Sequence, residues 1–169
     1  MKELQNLQDR FDEQMMNKLM EEFEFSHDEM SDRLDRTKEL LKREQIEQKV
    51  EQAINELEKL SEEQQELSEE TKESKKNGEE IKEKQNQIEE KYNEIQKEYE
   101  KAKALNKELK QKMNLKDFQN QKESIRKEFE NTKQMLDKGK KNKASQSQNQ
   151  NSKNMKKLSE SMQSMMNAI

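Results

Sequence analysis

Pairs of adjacent carboxylates are the side chains in this sequence that could support acid–base chemistry. Glu69-Glu70 and Glu79-Glu80 are two examples, and similar pairs recur along the 169 residues. A general acid or base needs a shifted pKa and a pocket that holds the substrate. Carboxylates on a solvated helix have neither. The pairs therefore predict a charged helical surface, and we expect the protein not to be an enzyme.

The single histidine, His27, is the other side chain that could act as a base or a metal ligand. A metal site needs several converging ligands, and the neighbours of His27 are helix-capping residues. The chain has no Cys and only two Gly, so it lacks thiolate ligands and a phosphate-binding glycine loop. We expect no catalytic residue, no metal, no cofactor and no small-molecule substrate.

A basic tract between Lys138 and Lys157 could contact anionic lipid or nucleic acid, because it holds seven Lys and no acidic residue. No aromatic residue is interleaved for base stacking, and the formal net charge of the chain is −4. The tract therefore favours a solubilising linker. Nucleic-acid binding is not expected, and contact with an anionic membrane surface is the weaker alternative.

The composition indicates that helices position these residues. Charged residues make up 43% of the chain and hydrophobic residues 27%, with no Pro, which supplies apolar stripes on helices but not a large globular core. From Ile46 to Met113, apolar or small residues recur in alternating steps of four and three. This spacing forms one seam on a helix and predicts a coiled coil. Its large apolar members are Ile46, Val50, Leu57, Leu60, Leu67, Ile81, Ile88, Tyr92, Ile95, Tyr99 and Leu109.

The middle of the seam is polar and leads into Asn77-Gly78, a good helix terminator. The sequence therefore predicts an all-α fold, an elongated antiparallel helical hairpin or coiled coil over 26–113. Its turn lies near 76–78, and short helices flank it. In the hairpin, Leu67 lies near Ile81 and Ile46 near Leu109. The alternative is one long continuous coiled-coil helix, because the heptad phase runs unbroken through Gly78.

Two capping patterns set the limits of the flanking helices. Ser26 and Glu29 form a capping box, which predicts an amphipathic helix over 1–25 and a new helix from Ser26. Asn114 and Asp117 form a second N-cap pattern. It predicts a capped segment over 114–139, with a helix over 115–138 that ends at Gly139.

The C-terminal part divides by composition. Residues 140–154 are polar and without periodic apolar residues, which predicts a mobile basic linker. Residues 155–169 form an amphipathic helix with a Met-rich face that suits adaptable binding to a helix or an unfolded client. Folding of this face onto helix 115–138 of the same chain is the favoured interpretation, because a short isolated helix is marginal in water. The face consists of Met155, Leu158, Met162, Met165, Met166 and Ile169.

The segments DRLDRT, ELLKR, EQKV, QAI and LEKL follow one another after Met30. This series of segments resembles the helical region of a large, uncharacterised family of membrane-anchored coiled-coil proteins of Bacteroidetes. The resemblance implies that the chain is a fragment or a detached version of a longer protein with N-terminal transmembrane helices and extracytoplasmic domains. It carries over no catalytic residues.

These observations favour a structural or interaction module. We expect a coiled-coil scaffold that mediates self-association or binds a helical partner, within a larger membrane-anchored protein by the resemblance. A holdase-like chaperone and a membrane-surface-binding helical protein are the alternatives. No apolar run is long enough to span a bilayer, so we expect the chain to be soluble as given, and the resemblance implies a periplasmic location. Oligomeric state and partner identity stay open.

Overall fold

The described part of the chain is helical and contains no strand. The computed structural model describes residues 2–73 and 78–169, with side chains from residue 13 onward. These residues form the helices α1 (Lys2–Glu73), α2 (Gly78–Lys107), α3 (Gln119–Asp137) and α4 (Lys141–Met166). The predicted all-α helical hairpin is confirmed, with α1 and α2 as its arms. Of the predicted turn near 76–78, Lys76 and Asn77 lie outside the described residues, and Gly78 begins α2.

The chain divides into two compact units, Met1–Leu41 and Lys42–Ile169. In the second unit, each helix runs antiparallel to its neighbours, because later residues on one helix contact earlier residues on the next. The residues 42–169 therefore form an up-down four-helix bundle. The contacting pairs are Lys49–Glu98 (2.8 Å) and Gln64–Gln85 (3.1 Å) between α1 and α2, and Lys122–Glu100 (3.1 Å) and Lys133–Glu89 (2.5 Å) between α2 and α3. Between α3 and α4 they are Gln121–Ser161 (2.9 Å) and Ser147–Glu128 (2.5 Å). Between α1 and α4 they are Ser61–Ser152 and Ser68–Ser145 (both 2.7 Å).

The predicted seam is the core of this bundle. Every large apolar seam residue from Ile46 to Leu109 has an exposed fraction of 5% or less. The helices α3 and α4 complete the core with residues at the same steps of four and three. These are Lys122, Ile125, Phe129, Thr132 and Leu136 on α3, and Ala144, Gln148, Asn151, Met155, Leu158, Met162 and Met165 on α4.

A polar layer lies within this core. Gln64 and Gln85 exchange two side-chain hydrogen bonds of 3.1 and 2.9 Å, and the Gln148 amide donates a third to Gln85 Oε1 at 2.9 Å. None of the three side chains is more than 1% exposed. Buried amides of this kind hold helices in one register, because a shifted register would leave them without hydrogen-bond partners.

Asn151 lies in the same core without such bonds, and it leads to a first prediction. The residue is fully buried, and neither its Oδ1 nor its Nδ2 has a hydrogen-bond partner in the protein. Replacing a buried polar group that makes no hydrogen bond with an apolar one removes its desolvation cost. We expect Asn151→Leu to raise the free energy of unfolding by about 1–3 kcal/mol, measured by urea denaturation followed by circular dichroism.

The matched control is Gln64→Leu, which removes a buried amide that is bonded. This change leaves Gln85 with fewer partners, so we expect it to lower the free energy of unfolding. If Asn151→Leu lowered the free energy of unfolding as much as Gln64→Leu does, the prediction that the unbonded Asn151 amide costs stability would be contradicted.

The predicted helix start at Ser26 is wrong. The helix α1 passes through this position without interruption, so 1–25 is not a separate helix. The Glu29 carboxylate accepts a hydrogen bond from Arg33 at 3.1 Å, one turn ahead, instead of turning back to Ser26. No Gly or Pro lies in this stretch, and a capping box alone does not end a helix that nothing interrupts.

The predicted start of the third helix is four residues early. The helix α2 ends at Lys107 and α3 begins at Gln119, after Phe118 in the left-handed region (φ 51°). The intervening chain is held by side chains from elsewhere. Tyr99 donates to the Lys116 carbonyl at 2.6 Å, and Asp117 pairs with Lys103 instead of serving as a capping group. The predicted stop is confirmed, because Gly139 has φ 66°.

The predicted linker over 140–154 is also wrong. The helix α4 is continuous from Lys141 to Met166, so the predicted boundary at Met155 lies inside it. Its polar residues continue the seam of the Met-rich half, and Ala144, Gln148 and Asn151 are fully buried. Interhelical hydrogen bonds to α1 and α2 replace apolar contacts along this half of α4. The low-complexity composition therefore encodes a polar packing face.

Candidate interaction surface

The carboxylate pairs are surface groups with Lys or Gln partners. Glu70 bonds Lys84 at 2.8 and 2.9 Å, and Glu69 accepts from Gln65 at 3.1 Å. His27 is solvent-exposed beside Asp28, whose carboxylate lies 4.0 Å away. Within residues 2–73 and 78–169, no group of three or more His, Asp or Glu is placed to hold a metal ion.

Glu98 is a surface carboxylate whose pKa is lowered by two lysines. Hydrogen bonds from Lys101 at 2.5 Å and Lys49 at 2.8 Å lower the pKa of Glu98 to about 2. Such a group stays ionised at neutral pH, so it does not exchange protons there. Its contribution to stability is present above the unfolded pKa and is lost as the pH falls through the folded pKa. Glu98 is a helix-pairing residue between α1 and α2.

The Met-rich face lies mainly in the bundle core. Met155, Leu158, Met162 and Met165 have exposed fractions of 4% or less, Met166 is half-buried, and Ile169 is 45% exposed. The Met165 Sδ also accepts a hydrogen bond from the Tyr99 hydroxyl at 3.7 Å. The structure therefore corrects the docking-face interpretation for the four buried residues. It agrees with the favoured interpretation, in which this face folds onto the chain itself.

The basic tract is divided between two places on the bundle. Lys138, Lys140 and Lys143 surround the start of α4, whereas Lys156 lies in its middle on a surface groove shared with acidic residues of α1. Those acidic residues are Glu58, Glu62 and Glu66. The tract thus meets acidic side chains of its own chain, which weakens the case for a uniformly basic surface facing a membrane.

The first unit carries all but one of the exposed large apolar residues that the structure describes; the other is Ile169. Each of the ten Met, Leu and Phe residues between Glu13 and Leu41 is at least 55% exposed. Large apolar side chains that cluster on a surface mark interaction sites more often than single exposed ones do. The ten are Met15, Met16, Leu19, Met20, Phe23, Phe25, Met30, Leu34, Leu40 and Leu41.

Six of the ten share one helical face with two polar residues. We call this face the α1 stripe. Its residues follow steps of four and three over about 38 Å of helix. They are Met16, Met20, Phe23, His27, Met30, Leu34, Thr37 and Leu41. Continuing the same steps past Leu41 gives Glu44 and Gln48, which are exposed. The α1 stripe is therefore a pattern of its own and not an extension of the core seam.

The charges around the α1 stripe are unevenly distributed. Between Glu13 and Leu41, acidic residues outnumber Lys and Arg by nine to four. The stretch 21–32 contains acidic side chains and no Lys or Arg, whereas Arg33, Arg36 and Lys38 follow it. Arg33 pairs with Glu29 at 3.1 Å. The segment thus has an acidic part followed by a basic part, a pattern that can select the direction of a partner helix.

The sequence prediction shares only Phe23 with this surface. It places Met30, Leu34 and Leu41 in another helix that starts at Ser26, and the residues of its amphipathic pattern over 1–25 are Leu4, Leu7, Phe11, Met15, Leu19 and Phe23. The signal that could have joined them was the unbroken spacing across Ser26. The capping box concealed it, because it favoured a boundary there.

A closed four-helix bundle and an exposed amphipathic helical segment place this chain in the class of all-α proteins with an unpaired helical face. No family model, curated protein or solved structure matches the chain. Among the described residues, no helix combines the length and apolar character needed to cross a membrane.

Proposed function

We propose that this chain is a non-enzymatic interaction module that binds another helix through the α1 stripe. The observation that carries the proposal is the exposure of all ten large apolar side chains between Met15 and Leu41. A second helix laid along the stripe would remove the six of them that lie on the stripe from water, and burial of apolar surface is the dominant favourable term in protein association. By the family resemblance, the module would belong to the periplasmic part of a larger membrane-anchored protein.

The bundle supports this proposal by exclusion. Its seam is already buried within residues 42–169, so the seam has no free face for a partner. The Met-rich face that suited a chaperone is largely buried with it. Among the residues whose side chains the structure describes, the α1 stripe is left as the extended apolar surface that could carry an interaction.

The energetics of the stripe agree with binding. Full burial of one Leu, Met or Phe side chain contributes about 1.5–3 kcal/mol, and six such residues lie on the stripe. This sum has to offset the rotamer entropy lost on packing, about 0.5–1.5 kcal/mol per side chain, and the translational and rotational freedom lost on association, about 4–15 kcal/mol. A single amphipathic helix is also marginal in water without packing. A partner would therefore stabilise the helix itself as well as cover its apolar face.

A photo-reactive phenylalanine analogue at position 23 of the full chain, expressed in the native host, tests the proposal. We expect cross-links from position 23 to the apolar helical face of a partner, which mass spectrometry identifies as another protein or a second copy of the chain. Phe23 lies on the stripe and is 72% exposed.

The matched control places the same analogue at Phe25. This residue is of the same type and is 74% exposed, but at 100° per residue it lies on the other side of the helix. Equal cross-linking from positions 23 and 25, or none from position 23, would contradict a binding role for the stripe.

A further inference from the structure

We infer that the occupant of the α1 stripe is the α1 stripe of a second copy of this chain, running antiparallel and centred between Met30 and Leu34. This inference rests on the proposed function, since it requires the stripe to be a binding surface. It adds the identity of the partner, its direction and its register. Three features of residues 13–41 carry it: the apolar pattern, the charge pattern and the sign of the net charge.

Between Phe23 and Leu41, the apolar pattern is self-complementary when it is reversed. With Met30 of one copy opposite Leu34 of the other, Phe23 lies opposite Leu41 in the next apolar layer. His27 lies opposite Thr37 in the layer between them, so polar faces polar. A heptad has two core positions, its first residue (a) and its fourth residue (d). In an antiparallel coiled coil, each a residue packs against a d residue of the partner. All three layers satisfy this rule in the one register, and symmetry generates each of them twice.

The charge pattern selects the same orientation. In the reversed pairing, the acidic stretch 21–32 of one copy lies along the segment of the other that holds Arg33, Arg36 and Lys38. Glu24 and Lys38 occupy equivalent positions beside the core and face each other across the interface. A parallel pairing would instead set the acidic stretch against itself, with like charges in contact.

The net charge argues against a lipid surface as the occupant. Acidic residues outnumber basic ones by nine to four between Glu13 and Leu41, and anionic lipid headgroups attract basic segments. A second copy brings its own basic part to the acidic part of the first. The resulting two-fold interface is isologous and closes at two chains.

Disulfide trapping in the full chain tests the orientation, and the absence of native Cys removes any background. Two differently tagged variants, Phe23→Cys and Leu41→Cys, are mixed and oxidised. We expect a disulfide between the two variants, because opposed core positions lie within the roughly 4.4–6.8 Å that a disulfide spans between Cα atoms. In a parallel pair the same residues are about 27 Å apart. Phe25→Cys mixed with Leu41→Cys is the control and should not cross-link.

Sedimentation of the unmodified chain over a dilution series tests the association. We expect dimers that dissociate on dilution, and more than tenfold weaker dimerisation for the double variant Met30→Asp, Leu34→Asp, with the urea midpoint of the bundle unchanged. Glu24→Lys and Lys38→Glu should each weaken the dimer several-fold. The double reversal should restore it, which a purely structural role for either residue would not do.

Two results overturn the inference. One is a chain that stays monomeric up to about 100 μM, well above the dissociation constant of a micromolar dimer. The other is self-cross-linking of Phe23→Cys without a mixed disulfide, since that indicates parallel pairing. If position 23 still cross-links to a different protein in the native host, the proposed function stands and only the second copy is refuted.

Discussion

The Phe129→Ala variant is expected to lose about 3–5 kcal/mol of unfolding free energy. Phe129 on α3 is 1% exposed, and its ring centroid lies 5.5 Å from that of the fully buried Tyr92 on α2, with the planes inclined at 55°. Truncation removes both the buried ring area and this aromatic contact, and it leaves a cavity between helices. A domain of this size is stable by only about 5–15 kcal/mol, so the loss is a large part of the total.

Urea denaturation followed by circular dichroism measures this effect, and Phe25→Ala is its matched control. Phe25 is the same residue type at 74% exposure, so its truncation should change the unfolding free energy by no more than about 0.5 kcal/mol. Similar losses in the two variants would show that Phe129 does not occupy a packed core position. The fold described for α2 and α3 would then need revision.

The Asn106→Leu variant is expected to lose about 1–3 kcal/mol, because the Met113 N–H is left without a partner and the Met113 carbonyl keeps only its bond from the Leu115 N–H at 3.0 Å. The Asn106 Oδ1 accepts from the Met113 N–H and its Nδ2 donates to the Met113 carbonyl, both at 2.8 Å. Asn106 and Met113 are buried, at 9% and 6% exposure. A leucine fills the space but cannot satisfy either group, so the connection between α2 and α3 loses its main tie.

Hydrogen exchange at the Met113 amide, read together with urea denaturation, tests this expectation. We expect faster exchange at Met113 in Asn106→Leu, with smaller changes in the middle of the helices. Asn93→Leu is the control, since Asn93 is an exposed residue of the same helix. An unchanged Met113 exchange rate would mean that the connection does not depend on Asn106.

The hairpin was predictable because its seam is apolar. Residues such as Ile46, Leu57 and Ile88 recur at a spacing that only a helix places on one face, and Gly78 marks the beginning of α2. What the spacing did not reveal is the number of helices around the seam. A two-helix seam and a four-helix core require the same repeat, and they differ in the faces that α3 and α4 contribute.

The beginning of α3 was not predictable from local pattern. Asn114 and Asp117 have the residue types of a helix cap, yet Tyr99, Lys103 and Asn106 of α2 hold the connecting segment in another conformation. Such contacts join residues distant in sequence, and a capping rule considers only neighbours. Tertiary bonds that satisfy several backbone groups outweigh one local cap.

The candidate surface was half predictable for a similar reason. The apolar repeat up to Phe23 is evident, but exposure is a property of the whole fold. From the sequence, Leu34 and Leu41 could equally have belonged to the hairpin core. Their exposure in the structure is what separates a binding stripe from a packing seam.

The polar half of α4 has a consequence for how the bundle assembles. Its stretch KKNKASQSQNQNSKN contains Ser, Asn, Gln and Lys with one Ala, and an isolated helix of this length, with seven Ser and Asn residues, is marginal in water. Its helical form depends on acceptors supplied by the other helices, including Gln85 Oε1 for Gln148 and the Ser61 carbonyl for Ser152. The segment is thus helical only when it is packed in the bundle. We expect it to fold as it packs against the other helices, and to become random coil when it separates from α1.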